Sequence, residues 1–354
     1  MLPGADTLRR ILGAALLAPS AENRHYLRFQ VRSDCVRLLT TDRASWADQP
    51  HRQMLALLSY GAVVENAALR SAELGQAMAV TWWPEPSEPE RVAEWRWQAS
   101  TTPGDALGRA IEARHTNRRF YRRARAPAEA LARVSAAADA SPGTSLLWLD
   151  DAPRRALALK AIRVAETERF QRQALHAELF GAVRFEVGWK QSVGEGLPPG
   201  ALQIEPSMRL PFALLRRWRV MRAACRIGTH LALGLRAGYL PCALSPHIGL
   251  VLASESREDL AALQAGRAFE RVWLAATTEG LALQPMAAAT ALMHQRPGDG
   301  WVSGAAQARL SQLLDELCRG HAARPYLLFR LGHADAPSVV TGRGPLDDYI
   351  DPVD

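Results

Sequence analysis

Two stretches of this chain match each other at a constant offset of 205 residues. The stretch GAVVENAALRSAELGQA at 61–77 aligns with GRAFERVWLAATTEGLA at 266–282, and both carry apolar residues at helical spacing. The identical pairs are Gly61 and Gly266, Glu65 and Glu270, Leu69 and Leu274, Gly75 and Gly280, and Ala77 and Ala282. Helices rich in Ala, Leu and Glu also match by chance, but the equal spacing of the glycines favours an internal duplication. A duplicated chain is expected to form two related lobes that pack as a pseudo-dimer with approximate twofold symmetry.

Helical and extended segments are mixed along the rest of the chain. Helices are predicted over 5–17, 50–75, 127–138, 151–180, 213–226, 258–280 and 303–320. Short strands are predicted within 27–42, 78–84, 247–254 and 325–333, and a loop is predicted over 193–211. Because helices dominate and the strands are short and scattered, the pattern predicts an α+β or three-layer α/β domain.

The composition is that of a soluble globular protein. The 354 residues, of which 48% are hydrophobic, suffice for a sizeable core in one large or two smaller domains. A net charge of +7 would suggest a nucleic-acid partner, but all except two of the 43 basic residues are arginine, which indicates a coding bias. No nucleic-acid-binding module is recognisable, so we predict no nucleic-acid partner. The four cysteines form no CxxC or zinc pattern and are predicted to be free thiols in a reducing compartment.

Two apolar segments bear on localisation. Residues 8–21 loosely resemble a signal peptide, but the chain opens with MLPGAD, which lacks a basic start, so we expect mature protein. Residues 230–254 are interrupted by Arg236, Pro241 and Pro246 and fall short of a membrane span. We therefore expect a cytoplasmic protein with no membrane partner.

Residues 114–121, RHTNRRFY, begin a stretch in which five arginines fall between positions 114 and 123. Arg114, Thr116 and Arg118 supply two guanidinium groups and a hydroxyl at alternate positions. These groups suit a phosphate, because guanidinium binds phosphate oxygens in a bidentate manner, so the stretch predicts an anion site. The alternative is a helix end with ordinary solvated charge.

Three separated segments together resemble the FMN-dependent nitroreductase family. They are APSAEN at 18–23, RHTNR at 114–118 and TGRGPL at 341–346. Their order within one chain is most similar to the fused, single-chain (Acg-type) branch of that family. The resemblance covers most of the chain but is poor at 150–245.

The resemblance implies a fold and a division of the chain. The fold would be a nitroreductase-like three-layer α/β/α sandwich with two related lobes forming a pseudo-dimer. The implied divisions are an N-terminal lobe at 1–110 and a C-terminal lobe at 111–354, with a lid insert at about 190–230. The protein would be a monomeric pseudo-dimer or a homodimer.

The resemblance also implies FMN as cofactor and assigns the residues around it. It assigns the FMN phosphate to Arg114, Thr116, Arg118 and Arg343, the isoalloxazine ring to Pro19, Ser20 and Asn23, and the reactive N5 side to Gln284, Pro285 and Met286. Backbone amides of the last segment would bond N5 or O4 of the flavin. No catalytic acid–base side chain is required, because the flavin itself carries the hydride.

The implied activity is transfer of hydride or electrons from transiently bound NAD(P)H through FMN to a small organic acceptor, such as a nitroaromatic, a quinone or an enone. The family usually has Gln-Pro-Trp after the asparagine, whereas this chain has Arg24-His25-Tyr26-Leu27 after Asn23, which alters the ring pocket. Three alternatives stay open: an FMN-sequestering storage protein with little turnover, a flavin-dependent tailoring oxidase in a biosynthetic pathway, and a scaffold that has lost FMN.

A group of acidic and histidine side chains raises the question of a metal. Glu166, Glu168, His176 and Glu178 lie on one predicted helix and could share a face. A carboxylate-bridged metal would need matching ligands on another helix, and no second Glu-x-x-His occurs. We therefore expect no metal.

Overall fold

Two four-stranded antiparallel sheets form the framework of the chain. The computed structural model describes residues 2–295 and 298–351. The strands of the first sheet are β1 (Leu27–Val31), β2 (Val36–Thr40), β3 (Gln76–Trp82) and β4 (Arg91–Ala99), in the order β1-β2-β4-β3. The strands of the second sheet are β5 (Thr144–Trp148), β6 (His247–Ala253), β7 (Ala282–Pro285) and β8 (Arg324–Gly332), in the order β5-β6-β8-β7. The two sheets therefore share one topology.

The α-helices lie before, between and beside these strands. Those of the first half are α1 (Ala5–Leu16) and α2 (Pro50–Glu73). The remaining ones are α3 (Ala128–Asp139), α4 (Ala152–Gln171), α5 (Gln173–Ala182), α6 (Arg209–Leu215), α7 (Trp218–Cys225), α8 (Thr229–Gly234), α9 (Leu240–Ala243), α10 (Glu258–Thr278), α11 (Ala288–Leu292) and α12 (Gly304–Leu317).

The internal duplication predicted from the repeat is present in the fold. In each half a helix precedes two antiparallel strands, a long helix follows, and two further strands complete the sheet. The long helices are α2 and α10, and each ends at a glycine in the left-handed conformation, Gly75 with φ 71° and Gly280 with φ 68°. A residue without Cβ favours this conformation, which explains the matching glycines of the repeat.

One insertion makes the second half of the chain longer than the first. Residues 32–35 join β1 to β2, whereas residues 149–246 join β5 to β6 and carry α4 to α9. A second, shorter difference is the segment between β7 and β8, which carries α11 and α12. The first of these additions lies almost entirely within 150–245, where the family resemblance is poor.

The core consists of α2 and α10 packed together between the two sheets. On β2, Val36 and Leu38 are fully buried while Arg37 and Leu39, which alternate with them, are partly exposed, so the first sheet has helices on its inner face only. Every residue of β6 is buried, because α4 and α12 cover the second face of the second sheet. The α+β class and the two related lobes agree with the prediction, and the three layers are complete around the second sheet.

The C-terminal segment links the two halves. After β8 the chain runs back to the first sheet, where Ile350 forms a parallel bridge with Phe29. The Asp351 N–H donates a hydrogen bond to the Phe29 carbonyl at 2.9 Å. This crossing brings the TGRGPL segment at 341–346 beside the N-terminal half.

Several boundaries differ from the sequence prediction. Strands β4 and β5 were not predicted from the sequence. The single helix expected over 151–180 is divided at Arg172, whose backbone is extended with φ −96° and ψ 129°. The single helix expected over 213–226 is divided into α6 and α7. Within the described residues, no helix is both long and apolar enough to cross a membrane.

Candidate functional site

A cavity of about 870 Å³ lies where residues of both halves meet. Its wall includes the loop after α1, the RHTNR segment, the end of β7, the insertion helices α4 and α5, and the C-terminal segment. All ten residues assigned from the family resemblance line this cavity: Pro19, Ser20, Asn23, Arg114, Thr116, Arg118, Gln284, Pro285, Met286 and Arg343. Segments more than 300 residues apart in the sequence therefore share one site.

Arg114 is held at the cavity wall by three groups. Its Nε lies 3.1 Å from Glu270 Oε1, and both side chains are buried. Its guanidinium lies over the Trp273 ring at 4.5 Å from the centroid. It also donates to the Leu17 carbonyl at 2.6 Å. The repeat helix α10 thus supplies both the acid and the aromatic ring that fix this arginine.

Arg343 reaches the same place from the C-terminal segment. It donates to the carbonyls of Leu16 at 2.7 Å and Ala18 at 2.6 Å, at the C-terminal end of α1. It also donates to the side-chain oxygen of Asn23. The carbonyl end of a helix attracts cations, so α1 helps to orient both Arg343 and Arg114.

The charges around this end of the cavity do not cancel. Burial and the neighbouring Arg114 lower the pKa of Arg343 to about 10. Burial raises the pKa of Glu270 to about 7, although Arg114 and Arg343 act in the opposite direction. Glu270 carries at most one negative charge, and the end of a helix adds about half a negative charge. The positive charge of the buried Arg114 and the partly buried Arg343 thus exceeds the negative charge beside them.

Arg118 lies among different neighbours. It donates to the Ala201 carbonyl in the insertion at 3.3 Å. Burial lowers its pKa to about 10, and Arg169 and Arg330 are the nearby cations that add to this effect. The RHTNR segment forms neither helix nor strand, and Arg114, Thr116 and Arg118 all line the cavity. The assignment of both guanidinium groups to one phosphate stays a prediction.

The loop after α1 is held in an unusual conformation. Glu22 and Asn23 both have positive φ angles, 55° and 57°, a region that residues other than glycine rarely occupy. The Asn23 side chain donates to the Gly196 carbonyl at 3.0 Å, which ties the loop to the insertion. Strained backbone of this kind concentrates at functional sites because the surrounding contacts must maintain it.

Ser20 presents an unsatisfied polar group to the site. Its hydroxyl oxygen is buried and has no hydrogen-bond partner among residues 2–295 and 298–351. A buried hydroxyl without a partner is unfavourable by about 1–3 kcal/mol, so such groups are usually completed by a ligand or water.

The insertion contributes a second set of charges that the sequence did not reveal. Arg169 pairs with Glu166 at 3.2 Å, and Glu178 accepts a hydrogen bond from His51 at 3.2 Å. Glu22 projects among them, and burial together with Glu178 raises the pKa of Glu22 to about 7. This side of the cavity is therefore polar and partly acidic.

Some of the hydrogen-bonding groups in the segment expected on the N5 side of a flavin already bond to residues of the second sheet. The Met286 N–H donates to the Leu328 carbonyl at 2.7 Å, and Pro285 has no N–H. The Gln284 side chain accepts from Arg330 Nε at 2.8 Å. The amide expected to bond N5 or O4 is therefore not that of Met286, although all three residues line the cavity.

The acidic and histidine side chains considered for a metal separate in space. Glu168 accepts hydrogen bonds from Ser303, the first residue before α12, while His176 bonds the Leu215 carbonyl at 2.8 Å. Among the described residues, no group of three His, Cys, Asp or Glu side chains could hold a metal ion.

Comparisons with known proteins give structural likeness at low identity. No protein-family model matches the chain, and no curated protein sequence does. The FMN-dependent nitroreductase from Mycobacterium smegmatis, solved with NADPH, is 17% identical over 68% of this chain and 94% of its own, with a TM-score of 0.38. A nitroreductase with bound FMN from Desulfitobacterium hafniense is 15% identical over 71% of this chain and 99% of its own, with a TM-score of 0.36. An iodotyrosine deiodinase bound to FMN and 3-iodo-L-tyrosine is 14% identical over 68% of this chain and 94% of its own, with a TM-score of 0.35. At such TM-scores the likeness carries no conclusion about the cavity.

Proposed function

We propose that this protein binds FMN in the cavity and transfers hydride or electrons from NAD(P)H to a small organic acceptor, such as a nitroaromatic, a quinone or an enone. The observation that carries this proposal is the excess of positive charge at the buried Arg114 and the partly buried Arg343, which have Glu270 as their acidic neighbour on the wall of a mostly apolar cavity. Burying unbalanced cations is unfavourable, so this end of the cavity is suited to an anionic group.

The residues present fit the phosphate of FMN at this end. Arg114 and Arg343 supply the positive charge, and a phosphate dianion would offset it. The unpaired Ser20 hydroxyl, in the loop after α1, offers a hydrogen-bond donor to the isoalloxazine ring, to which the resemblance assigns it. Thr116 and Arg118 also line the cavity, and in this proposal they add a hydroxyl and a third guanidinium to the phosphate site.

The remaining wall fits a flat aromatic ring. A cavity of about 870 Å³ is within the range of cofactor sites, which are mostly apolar with a few placed polar groups. Its apolar wall includes Phe170, Leu175, Met286 and Leu292. A bound flavin would supply the redox chemistry, and the chain would bind it, orient it and exclude water.

We also propose that the chain belongs to the fused, single-chain branch of the nitroreductase family. The three segments APSAEN, RHTNR and TGRGPL support this, since all of them contribute to the wall of the one cavity. The lobes would divide at 110 and 111, and the segment at 190–230 would act as the lid. Leu197, Met208 and Phe212 of that segment line the cavity.

Storage of FMN is the second candidate. It is favoured by the same segment, because a cover over the cavity would restrict the access of NAD(P)H and of an acceptor. In that case the protein would hold the cofactor with little turnover.

An absorption spectrum of the purified protein, followed by anaerobic addition of NADPH, tests the proposal. A yellow protein that NADPH bleaches, and that an added quinone then restores, is the expected result. A yellow protein that NADPH does not bleach would favour storage. A colourless protein that does not take up added FMN would overturn both candidates.

A further inference from the structure

The insertion presents a group of large apolar side chains to solvent. Ile227 is 85% exposed and Leu210 is 71% exposed, which is unusual for aliphatic residues of this size. Four more are exposed in the same segment: Leu214, Val220, Leu231 and Leu235. Scattered exposed apolar residues need no explanation, but a group concentrated in 210–235 indicates a contact surface. We refer to the exposed residues of 210–235 as the α6–α8 surface.

The α6–α8 surface is also strongly basic. The stretch 206–254 contains seven arginines and no aspartate or glutamate. Five of these arginines are exposed: Arg216, Arg217, Arg219, Arg222 and Arg226. In the part of the chain that the structure describes, none of the five forms an ion pair, whereas Arg236 of the same segment pairs with Glu205. The five charges are therefore available to an external anion.

The packing of α7 explains why apolar and basic residues share this surface. Trp218, Met221 and Cys225 face inward and pack on a small cluster with Phe180 and Phe212. These three positions follow the spacing of one helix face, so the opposite face must point outward. That outward face carries arginines and Val220 rather than the acidic and basic mixture of an ordinary solvated helix.

We propose that the α6–α8 surface docks on the surface of an anionic phospholipid bilayer. Aliphatic side chains enter the boundary between headgroups and acyl chains, while arginines at the same level bind the lipid phosphates. Short helices that lie in the plane of the interface achieve this without crossing it. The sequence-based expectation of no membrane partner depended on the lack of a spanning segment, and a surface contact was not considered there.

Charge and chemistry favour this partner over two others. A second copy of the chain would bring two basic surfaces together, which is unfavourable because like charges repel. A nucleic acid would neutralise the arginines, but its phosphates give no partner to exposed aliphatic side chains such as Ile227 and Leu210. Of these three partners, a bilayer is the one that satisfies both components of the surface.

The docking would bring the bilayer next to the proposed cofactor site. Phe212, Leu215 and Leu233 lie in the same segment, and they line the cavity from its inner side. The contact itself does not depend on FMN, so it can be tested whether or not the proposed function holds.

The direct test is co-sedimentation of the full chain with phospholipid vesicles. We expect binding to vesicles of equal parts phosphatidylglycerol and phosphatidylcholine, and none to vesicles of phosphatidylcholine alone. Raising the salt from about 50 mM to about 500 mM should weaken the binding, because exposed charges are screened. No binding to the anionic vesicles at low salt would overturn the proposal.

Matched variants separate the two components of the surface. An arginine near an anionic membrane contributes about fivefold to the partition coefficient, so the triple variant R217S/R219S/R222S should lose about 100-fold. The control R10S/R109S/R123S removes three exposed arginines elsewhere and should bind almost normally. The variant L210S/I227S should lose at least about tenfold, because it removes two exposed aliphatic side chains.

Two results with these variants would contradict a bilayer. If L210S/I227S binds vesicles as the unaltered chain does, the surface is a general polyanion site, and tight binding to duplex DNA would identify that partner. If size-exclusion chromatography shows a concentration-dependent dimer that the same substitutions abolish, and vesicles do not compete with it, the surface joins two copies of the chain. If the control R10S/R109S/R123S loses as much binding as R217S/R219S/R222S does, the assignment of the contact to residues 210–235 is also wrong.

Discussion

Gly61 and Gly266 lie where α2 and α10 cross. Each glycine contacts a backbone carbonyl of the opposite helix, one turn before the other glycine. Gly61 lies against the Leu263 carbonyl, and Gly266 lies against the Leu58 carbonyl. The two contacts are equivalent, because adding the repeat offset of 205 to Gly61 and Leu58 gives Gly266 and Leu263. The pseudo-twofold axis therefore passes between these glycines, and the repeat visible in the sequence is the interface of the two halves.

Alanine at either glycine should destabilise the fold by a similar amount. A Cβ at Gly61 or Gly266 would overlap with backbone of the opposing helix, which cannot move like the end of a side chain. We expect each of G61A and G266A to lower the free energy of unfolding by about 2–4 kcal/mol, measured by urea denaturation. The control G13A, within α1 and with nothing near its Cβ, should be neutral or stabilising. Equal free energies of unfolding for G61A, G266A and G13A would contradict the close contact between α2 and α10 at these glycines.

Arg114 should have a structural and a binding effect that can be separated. Removing it leaves Glu270 buried without its ion-pair partner, which we expect to lower the free energy of unfolding by about 3 kcal/mol in FMN-free protein. The double variant R114A/E270Q should recover much of this loss, since the second substitution removes the buried acid. FMN affinity should stay at least about tenfold lower in both variants. Recovery of FMN affinity in R114A/E270Q would show that Arg114 does not bind the phosphate.

Ser20 should contribute to ligand binding rather than to the stability of the fold. Because its hydroxyl has no partner among the described residues, S20A should not lower the free energy of unfolding of the FMN-free protein and should raise it by up to about 3 kcal/mol, while lowering FMN affinity about three- to tenfold. Ser59 is the matched control, since its hydroxyl also faces the cavity but donates to the Pro19 carbonyl at 3.0 Å. S59A should lower stability by about 1 kcal/mol. Chemical denaturation and fluorescence titration measure the two effects.

The stability of the protein should depend on pH through Glu22. Its pKa is about 7 in the folded chain, above the ordinary value of 4.5, so the folded state binds the proton more tightly than the unfolded state. The carboxyl therefore costs nothing below about pH 4.5, and its unfavourable effect grows as the pH rises to about 7. We expect the stability advantage of E22Q over the unaltered chain to be about 2 kcal/mol larger at pH 8 than at pH 5. A constant difference, as expected for the exposed control E129Q, would contradict this environment for Glu22.

The sequence allowed the long-range symmetry to be predicted because it is encoded in local features. Helical spacing and the glycines that end α2 and α10 are visible without knowledge of the fold. Strand β4 was missed because its outward side chains are charged, although Glu94 and Arg96 pair on the outer face of the sheet, with Arg96 Nε 3.0 Å from Glu94 Oε1. Such pairing depends on strand geometry and on neighbours that a local pattern does not contain.

In the candidate site, only the residues that belong to recognisable sequence motifs could be predicted. The ten assigned residues share a cavity, but Glu270, Glu22 and Arg169 were not assigned to it. Glu270 was noticed as the counterpart of Glu65 in the repeat, and nothing in its local sequence indicates that it pairs with Arg114. Buried charges are matched across distant segments, so their partners become visible only when the chain is folded.

The central claim is that this cavity holds FMN by its phosphate, and comparing FMN with riboflavin tests it most directly. The two ligands share the ring and the ribityl chain and differ only in the phosphate. Isothermal titration of the FMN-free protein should give one FMN per chain, with riboflavin bound at least about 100-fold more weakly, because charge-assisted bonds to guanidinium are lost. Equal affinity for both ligands, or no binding of FMN, would contradict the account.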